Sequence, residues 1–234
     1  MFDYQKVALV SITQPRNISN IETAEDLISY IARVSNPGNQ HNVDTAPRLL
    51  SYCIKNHHWS IFEMVDLTLE IQTTRDIGRQ ILRHRSFSFQ EFSQRYADAS
   101  QLGFVDRQTR LQDKTNRQNS IDIDIQDDVQ VDVDKTWQMK QEQIRHEPTL
   151  AYKWAISNNI AKEQARAVLP EGMTMSRMYM KGSLRSWITF IAIREKNGTQ
   201  REHMGIALKC KSIICERFPS VAEALGGQHN EWNI

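Results

Sequence analysis

The chain has 234 residues, a formal net charge of +1 and 24% charged residues. This length suffices for one large or two small domains with a substantial core. The near-neutral net charge argues against a general nucleic-acid-binding surface. A local basic cluster is still compatible with this net charge. Cys53, Cys210 and Cys215 show no CxxC or CxxH spacing. This argues against a disulfide framework and a cysteine-rich zinc site, and favours a reducing compartment.

Hydropathy predicts no membrane association. The sequence has no run of about eighteen apolar residues, the length that a transmembrane helix needs. The first residues, MFDYQKVALVSIT, lack the charged start and long apolar stretch of a signal peptide. We therefore expect a soluble cytoplasmic protein.

The first third of the chain alternates strand and helix patterns. Apolar periodicity predicts strands over 6–13 and 64–74 and helices over 22–35, 46–56 and 75–85. The segment from residue 83 is predicted to begin at the C-terminal end of the last of these helices and to continue into a loop.

The middle of the chain carries many aspartates. In 120–134, branched apolar residues alternate with polar ones on both sides of Asp127 and Asp128, which predicts an acidic hairpin or a pair of edge strands. Its aspartates are read as a solvated face that discourages edge pairing, with metal binding as the alternative. Residues 135–170 are predicted to be helical with a break at Pro148.

The last third predicts a strand over 173–182, helices over 183–196 and 199–218, and a loose tail over 226–234. Strict alternation of strands and helices is missing, so residues 1–225 are predicted to form one α+β domain. His57, His146, His203 and His229 share no metal-ligand spacing, and no metal site is assigned.

One stretch, RHRSFSFQEFSQRY at 83–96, is unusually rich in cations, hydroxyls and aromatic rings. It is compatible with a solvated basic helix end, with aromatic stacking on nucleic-acid bases, or with a pocket for a phosphorylated small molecule. A nucleophilic triad is not indicated, because no carboxylate lies near His84 in the sequence to orient it. The flanking arginines should lower the pKa of His84. Glycine-rich phosphate loops are absent, so side chains must hold any nucleotide.

The spacing of this stretch resembles the signature of the flavin-dependent thymidylate synthases, RHR-x2-S-x4-S-x-R. Every fixed position of that signature is present between Arg83 and Arg95. Further segments resemble motifs of the same family. They are ARVS (32–35), HWSIFEM (58–64), ARAVLP (165–170) and LRSWITFIAIR (184–194).

The resemblance implies a single compact α+β domain with helices packed around a mostly antiparallel sheet. It also implies a homotetramer whose active sites are shared between subunits. The family methylates dUMP to dTMP, with methylenetetrahydrofolate as carbon donor, FAD as carrier and NADPH as reductant. The alternative is a non-catalytic nucleotide- or nucleic-acid-binding protein on the same scaffold.

Site roles follow from the resemblance position by position. His58 is expected near the flavin ring, and Arg194 is expected to activate the uracil. The residues expected to bind FAD are Ser60, Arg83, His84, Arg85, Glu91, Ser183, Arg185 and Thr189. The residues expected to bind dUMP are Gln80, Arg83, Glu91, Ser93, Gln94, Arg95, Arg166 and Arg194.

Three positions depart from the family pattern. Ser183 and Thr189 stand where asparagines are usual, and Gly198 stands where a histidine is usual. No cysteine lies in a matching active-site segment, so we expect chemistry without a cysteine nucleophile.

Overall fold

An antiparallel sheet with helices packed on it forms the body of the protein, and the computed structural model describes residues 2–234. The strands are β1 Lys6–Ile12, β2 Asp66–Thr74, β3 Ser88–Glu91, β4 Arg110–Gln112, β5 Ser120–Asp122 and β6 Met175–Ser183. The helices are α1 Ala24–Ala32, α2 Ala46–Lys55, α3 Arg75–Ile81, α4 Asp128–Ser157, α5 Lys162–Ala165, α6 Leu184–Arg194, α7 Arg201–Arg217 and α8 Pro219–Leu225. The main sheet has the order β1-β2-β6-β3, and β4 and β5 form a separate hairpin. The predicted mixed fold with an antiparallel sheet is confirmed.

The centre of the sheet is the β2–β6 pair. Its register runs without a shift from Asp66 opposite Ser183 to Thr74 opposite Met175. Alternate residues of β2 point to opposite faces, so Leu67 is buried beside the helices while its neighbours are only partly covered. The predicted strand over 64–74 is therefore confirmed.

Helix α6 continues directly from β6 and lies in the middle of the core. Its side chains Trp187, Ile188 and Phe190 are all almost fully buried. The Ser183 hydroxyl caps the helix by accepting a hydrogen bond from the Ser186 backbone N–H at 3.3 Å. Because the strand and the core fix both ends of α6, the position of Arg194 at its last residue is also fixed.

Gly182 allows the basic segment to approach this core. A Cβ atom at this position would lie only 2.5 Å from the ring of Phe87. The Phe87 ring packs instead against Trp187, with centroids 4.8 Å apart. This contact anchors the residues that follow Arg83, His84 and Arg85. The predicted loop after residue 82 is wrong in one respect, because Ser88–Glu91 pairs with β6 as the edge strand β3.

The predicted acidic hairpin over 120–134 is wrong. Only Ser120–Asp122 is a strand, and its partner is Arg110–Gln112. From Asp128 onward the chain is helical, because the Asp127 side chain accepts from the N–H groups of Val129 and Gln130 and caps the helix start. The alternation of valines in this segment indicated a strand. The segment instead begins a capped helix of 30 residues.

The predicted helix break at Pro148 is also wrong. Helix α4 passes through this proline without interruption. A proline inside a helix removes one hydrogen bond and crowds the preceding turn. The Thr149 hydroxyl donates to the Arg145 carbonyl oxygen at 2.6 Å in that turn, which adds a polar contact where the ladder is disturbed.

The C-terminal residues 226–234 are not a loose tail. Trp232 is fully buried, and its indole N–H donates to the Gly227 carbonyl oxygen at 2.9 Å. Its backbone N–H donates to the carboxylate of Glu195, and the ammonium group of Lys211 lies 5.1 Å from its ring centroid. A single large aromatic side chain thus attaches this segment to the core.

Two further features bear on the function classes considered above. In the part of the chain described by the structure, no helix combines the length and apolar character required to span a bilayer. Within residues 2–234, no group of three or more His, Cys, Asp or Glu side chains is arranged to hold a metal ion.

Candidate active site

The Arg83–Arg85 segment lies just beyond the C-terminal end of α3. The side chains of Arg83 and Arg85 are exposed, and neither forms an ion pair with a carboxylate in residues 2–234. Cations are favoured at this end of a helix by its dipole. His84 points inward between these two arginines and is partly buried.

His84 contacts Arg194, which the sequence predicted to be catalytic. The Arg194 Nε donates to His84 Nε2 at 3.0 Å. Burial, followed by the nearby charge of Arg194, lowers the pKa of His84 to about 4. The predicted direction is confirmed, but its cause is different, because the charge responsible is Arg194 and not the flanking arginines. His84 is therefore a neutral acceptor at physiological pH.

His203 belongs to the same cluster, and no role was predicted for it. It is fully buried in α7, with its ring 6.0 Å from that of His84 and 5.7 Å from that of Phe190. Burial and the charge of Arg194 lower its pKa to about 3. Its Nδ1 lies 3.2 Å from Oε1 of Gln80, a predicted dUMP-binding residue. Helical spacing with Ile206 and Cys210 signals that His203 is buried, but only tertiary contacts reveal its neighbours. We call Gln80, Arg83, His84, Arg85, Arg194 and His203 the arginine–histidine cluster.

A second group of predicted residues surrounds a cavity of about 360 Å³ near the start of α3. Gln94 and Arg166 line it, together with Arg75 and Glu163. Gln94 is only 4% exposed, and its Nε2 is buried without a hydrogen-bond partner in residues 2–234. We call this the Gln94 cavity. An unpaired buried amide beside a cation is suited to a polar anionic ligand.

Two predicted dUMP residues adjoin this cavity. Arg95 is half-exposed, and its Nε lies 3.6 Å from the carboxylate of Glu163. The Ser93 hydroxyl oxygen accepts from the Arg95 backbone N–H at 3.3 Å. Both side chains therefore lie at the surface, where a ligand can replace their present contacts.

Glu91 already has partners within the protein. Its Oε1 accepts from the Ser176 hydroxyl at 2.8 Å and lies 3.6 Å from Arg75 Nη1. These contacts fix the carboxylate between β3 and α3. Its predicted contacts with FAD and dUMP remain predictions.

A third group lies at the start of α6, and we call it the α6 N-terminal group. His58 and Ser60 are exposed in and beside the 3₁₀ turn Trp59–Glu63. The Glu63 carboxylate accepts from Ser183 Oγ at 2.5 Å and from Arg185 Nη1 at 3.1 Å. Ser183 thus serves as helix cap and turn anchor, and Arg185 is paired with Glu63. Thr189, one and a half turns into α6, is partly buried.

The predicted residues therefore form three groups on one chain. An eleven-residue helix places the α6 N-terminal group about 15 Å from Arg194. Helix α3 separates the Gln94 cavity at its start from the arginine–histidine cluster at its end. Among the hydrogen bonds and ion pairs of residues 2–234, only the His84–Arg194 contact joins predicted residues of distant segments directly.

Two of these three groups contain arginines whose charge is not neutralised by a carboxylate in the part of the chain that the structure describes. Within residues 2–234, four of the predicted arginines form no ion pair with a carboxylate, namely Arg83, Arg85, Arg166 and Arg194. Guanidinium groups bind phosphate and carboxylate oxygens in a bidentate manner. The site can therefore bind an anionic ligand and stabilise negative charge that develops on it.

A family model and two similar relatives agree on one family. The family model described as "Thymidylate synthase complementing protein" matches residues 17–220. The chain is 48% identical over 217 residues to the "Probable flavin-dependent thymidylate synthase" of Paramecium bursaria Chlorella virus 1, covering 93% of this chain and 97% of that protein. It is 47% identical over 221 residues to the "Flavin-dependent thymidylate synthase" of Synechocystis sp., covering 94% and 98%.

A solved structure supports the fold. The crystal structure of the UMP/dUMP methylase PolB from Streptomyces cacaoi, bound with 5-Br dUMP, superimposes with a TM-score of 0.78. The sequences are 22% identical, and the match covers 97% of each chain. The matches at high identity over nearly the whole chain settle the family, and the complete RHR signature between Arg83 and Arg95 agrees with them. The chain is a member of the flavin-dependent thymidylate synthase family of enzymes.

Proposed function

We propose that the protein converts dUMP to dTMP by reductive methylation. It uses methylenetetrahydrofolate as carbon donor, FAD as carrier and NADPH as reductant, without a cysteine nucleophile. The names of its two similar relatives support a flavin and a thymidylate product. The similar fold of PolB, a UMP/dUMP methylase bound with 5-Br dUMP, supports a uridine monophosphate as substrate.

The observation that carries the proposal is the state of Arg194. This partly buried guanidinium group has no carboxylate partner in residues 2–234, and its Nε is held by the neutral His84. A carboxylate would neutralise the charge, whereas a neutral imidazole orients the group and leaves the charge available. Negative charge develops on the uracil ring when C5 acts as a carbon nucleophile. A preorganised cation is suited to stabilise that charge.

The residues present are suited to FAD. Arg83 and Arg85 are exposed and form no ion pair with a carboxylate in residues 2–234, which matches the donor chemistry of a pyrophosphate. Ser60 adds an exposed hydroxyl at the α6 N-terminal group. When bound, reduced FAD supplies the redox chemistry and carries the one-carbon unit. Arg185 is tied to Glu63 and would have to exchange that ion pair for a cofactor contact.

The Gln94 cavity provides a separate set of contacts for dUMP. The unpartnered Gln94 Nε2 can donate to a nucleotide oxygen, and Arg166 beside it can pair with the phosphate. The partly buried Ser93 and the half-exposed Arg95 add donors next to the cavity. The single phosphate of dUMP fits a site where cations outnumber free carboxylates.

The cysteines support a mechanism without a thiol. Cys53 and Cys210 are buried, and burial raises the pKa of both thiols. Burial also raises the pKa of Cys215. A nucleophilic thiolate requires a lowered pKa and access to the substrate. None of the three groups of predicted residues contains a cysteine.

We also propose a homotetramer whose sites are shared between subunits. On one chain, the α6 N-terminal group lies about 15 Å from Arg194, along an eleven-residue helix. Several large apolar side chains of α4 are exposed at helical spacing, including Val129, Val133 and Trp137. Such a stripe is typical of a helix that packs against another chain. Neighbouring subunits would then complete the site.

The experiment begins with the absorbance spectrum of the purified protein, which should show bound oxidised flavin. Formation of dTMP is then measured with dUMP, methylenetetrahydrofolate and NADPH, and each component is omitted in turn. UMP serves as the alternative substrate. Folded protein that neither carries nor binds flavin would contradict the proposal. Binding of dUMP without turnover in the complete mixture would favour the non-catalytic alternative.

A further inference from the structure

A chain of side-chain hydrogen bonds connects a buried carboxylate with the arginine–histidine cluster. Gln200 Nε2 donates to Glu202 Oε2 at 3.0 Å. Gln80 Nε2 donates to Gln200 Oε1 at 2.7 Å. His203 Nδ1 lies 3.2 Å from Gln80 Oε1. We call these four side chains the glutamine relay.

The anchor of the glutamine relay is an ionised Glu202. Its side chain is 1% exposed, and Arg110 Nη2 donates to it at 2.5 Å. Burial opposes its ionisation, but the hydrogen bond and charge of Arg110, with the charge of Arg107, lower the pKa of Glu202 below its ordinary value. An ionised carboxylate can only accept hydrogen bonds.

This property of Glu202 fixes the direction of every hydrogen bond in the relay. Gln200 must turn its NH₂ group toward the carboxylate, so its oxygen faces Gln80. Gln80 must then turn its NH₂ group toward Gln200, so its oxygen faces His203. A carbonyl oxygen can only accept, so Nδ1 of His203 must carry the proton.

The same logic leaves Nε2 of His203 without a proton. That atom is buried and has no hydrogen-bond partner in residues 2–234. An unpaired buried acceptor destabilises the folded protein, and an apolar side chain at this position would avoid that cost. His203 thus contributes more than packing against Phe190, and its ring lies beside that of His84, which holds Arg194.

We propose that Gln200 and His203 are positioning residues through which Glu202 sets the orientation of the Gln80 amide. The relay fixes which hydrogen-bonding group Gln80 presents to the nucleotide. It also keeps Nε2 of His203 free of a proton in a ring that lies 6.0 Å, centroid to centroid, from that of His84. This inference rests on the proposed function, because Gln80 and Arg194 are the expected dUMP contacts.

The first test is the tautomer of His203 in the intact protein. Solid-state NMR of protein labelled with ¹⁵N-histidine distinguishes a protonated Nδ1 from a protonated Nε2. The His203 signal is assigned by its loss in His203→Phe. We expect the Nδ1–H form in the wild type and a substantial Nε2–H fraction in Gln200→Ala, in which the relay is cut. An Nε2–H form in the wild type would overturn the inference.

The second test compares substitutions by their effect on dUMP. His203→Asn keeps an N–H near the Nδ1 position, whereas His203→Phe keeps the ring and loses the donor. We expect His203→Phe and Gln200→Ala to raise the KM for dUMP about tenfold, the equivalent of one lost hydrogen-bond partner, and His203→Asn to stay within about threefold. Gln112→Ala is the matched control, because Gln112 is an exposed glutamine in the β4–β5 hairpin whose side chain donates, within residues 2–234, only to backbone carbonyl oxygens.

The outcomes separate this inference from the proposed function. Equal KM values for His203→Phe and His203→Asn, with kcat unchanged in both, would overturn the relay even if the enzyme makes dTMP. If the wild type makes no dTMP, the same comparison is made with the Kd of dUMP from calorimetry. In that case, the expected tautomers and Kd ratios would support the relay while the proposed function fails.

Discussion

Two charges that are neighbours in sequence at the end of α6 have opposite environments. Glu195 is 6% exposed, its Oε2 lies 2.7 Å from the Lys211 ammonium group, and its Oε1 accepts from the Trp232 backbone N–H. Arg194 is partly exposed and has only the neutral His84 as a hydrogen-bond partner in residues 2–234. One charge is fully neutralised inside the fold, and the other is oriented but left uncompensated.

The difference separates charges that serve the structure from charges available to a ligand. A buried ion pair is tolerated only when both partners and their remaining hydrogen bonds are satisfied. A cation without a counter-ion has a cost in the empty protein, which is recovered when an anionic ligand binds. The comparison predicts that substitutions at Lys211 act on stability and that substitutions at Arg194 act on activity.

The largest expected effect is that of Lys211→Met, which leaves Glu195 as an unpaired buried carboxylate. We expect a loss of about 3–5 kcal/mol in the free energy of unfolding, measured by denaturant titration. The double substitution Glu195→Gln with Lys211→Met should recover part of this loss, because the unpaired charge is gone. Lys209→Met on the same helix is the control. A loss below about 1 kcal/mol for Lys211→Met would show that the pair is not closed as described.

Arg194→Ala should have the opposite profile. Removal of one preorganised charge stabiliser typically costs about 3–4 kcal/mol, so kcat/KM for dUMP should fall by about 10²–10³-fold. Flavin content and thermal stability should be retained. Arg48→Ala, at an exposed position of α2 away from the three groups, is the control. Activity within a few-fold of wild type would exclude Arg194 from the mechanism.

The unpaired arginines of the RHR segment should act on the cofactor. Arg83→Ala or Arg85→Ala removes charge-assisted hydrogen bonds worth about 1.5–3 kcal/mol. Flavin affinity should therefore fall by about 10- to 150-fold, as measured by fluorescence titration of the apoprotein. The free energy of unfolding of the apoprotein should not fall, because neither side chain pairs with a carboxylate. Unchanged flavin affinity in both variants would contradict the assignment.

Acidification should lower the free energy of unfolding, because a buried histidine stays neutral in the folded protein. The pKa of His203 is lowered to about 3 by burial and by Arg194, below its value in the unfolded chain. Between about pH 6.5 and pH 3, the unfolded state binds a proton that the folded state does not, so stability falls as pH falls. His203→Phe should reduce this slope by about 1.4 kcal/mol per pH unit. Identical slopes in unfolding titrations of both proteins would contradict the lowered pKa.

The smallest expected effect is that of removing all three thiols. Cys53→Ala, Cys210→Ala and Cys215→Ser together should leave dTMP formation within a few-fold once folding and flavin content are verified. Any loss of stability would reflect the buried volume at Cys53 and Cys210. Loss of turnover in this variant, together with a cysteine-linked dUMP adduct in the wild type by mass spectrometry, would refute chemistry without a thiol.

Much of the fold and the site follows from the sequence alone. The alternation in β2 and the apolar periodicity of α6 define elements whose burial is dictated by their own pattern. The spacing from Arg83 to Arg95 indicates the family. Arg83, Arg85 and Arg95 are exposed, so the packing of the core does not account for this pattern of guanidinium groups. These signals are local, and a single sequence contains them completely.

Other features were decided only by tertiary structure. Val129, Val131 and Val133 alternate like a strand, but capping by Asp127 and the length of α4 determine a helix. Trp232 is buried because Glu195 and Lys211 provide polar partners for its segment. These outcomes depend on contacts between residues that are distant in sequence.

His203 shows the same limit within the site. Its sequence neighbours give no indication of a role, and its significance comes from Gln80, His84 and Phe190 on other elements. The spacing of the motifs indicated the family to which this protein belongs. The packing of α3, α6 and α7 decided which of its charges are neutralised and which remain open, because desolvation and hydrogen bonding depend on distance in space and not on position in the chain.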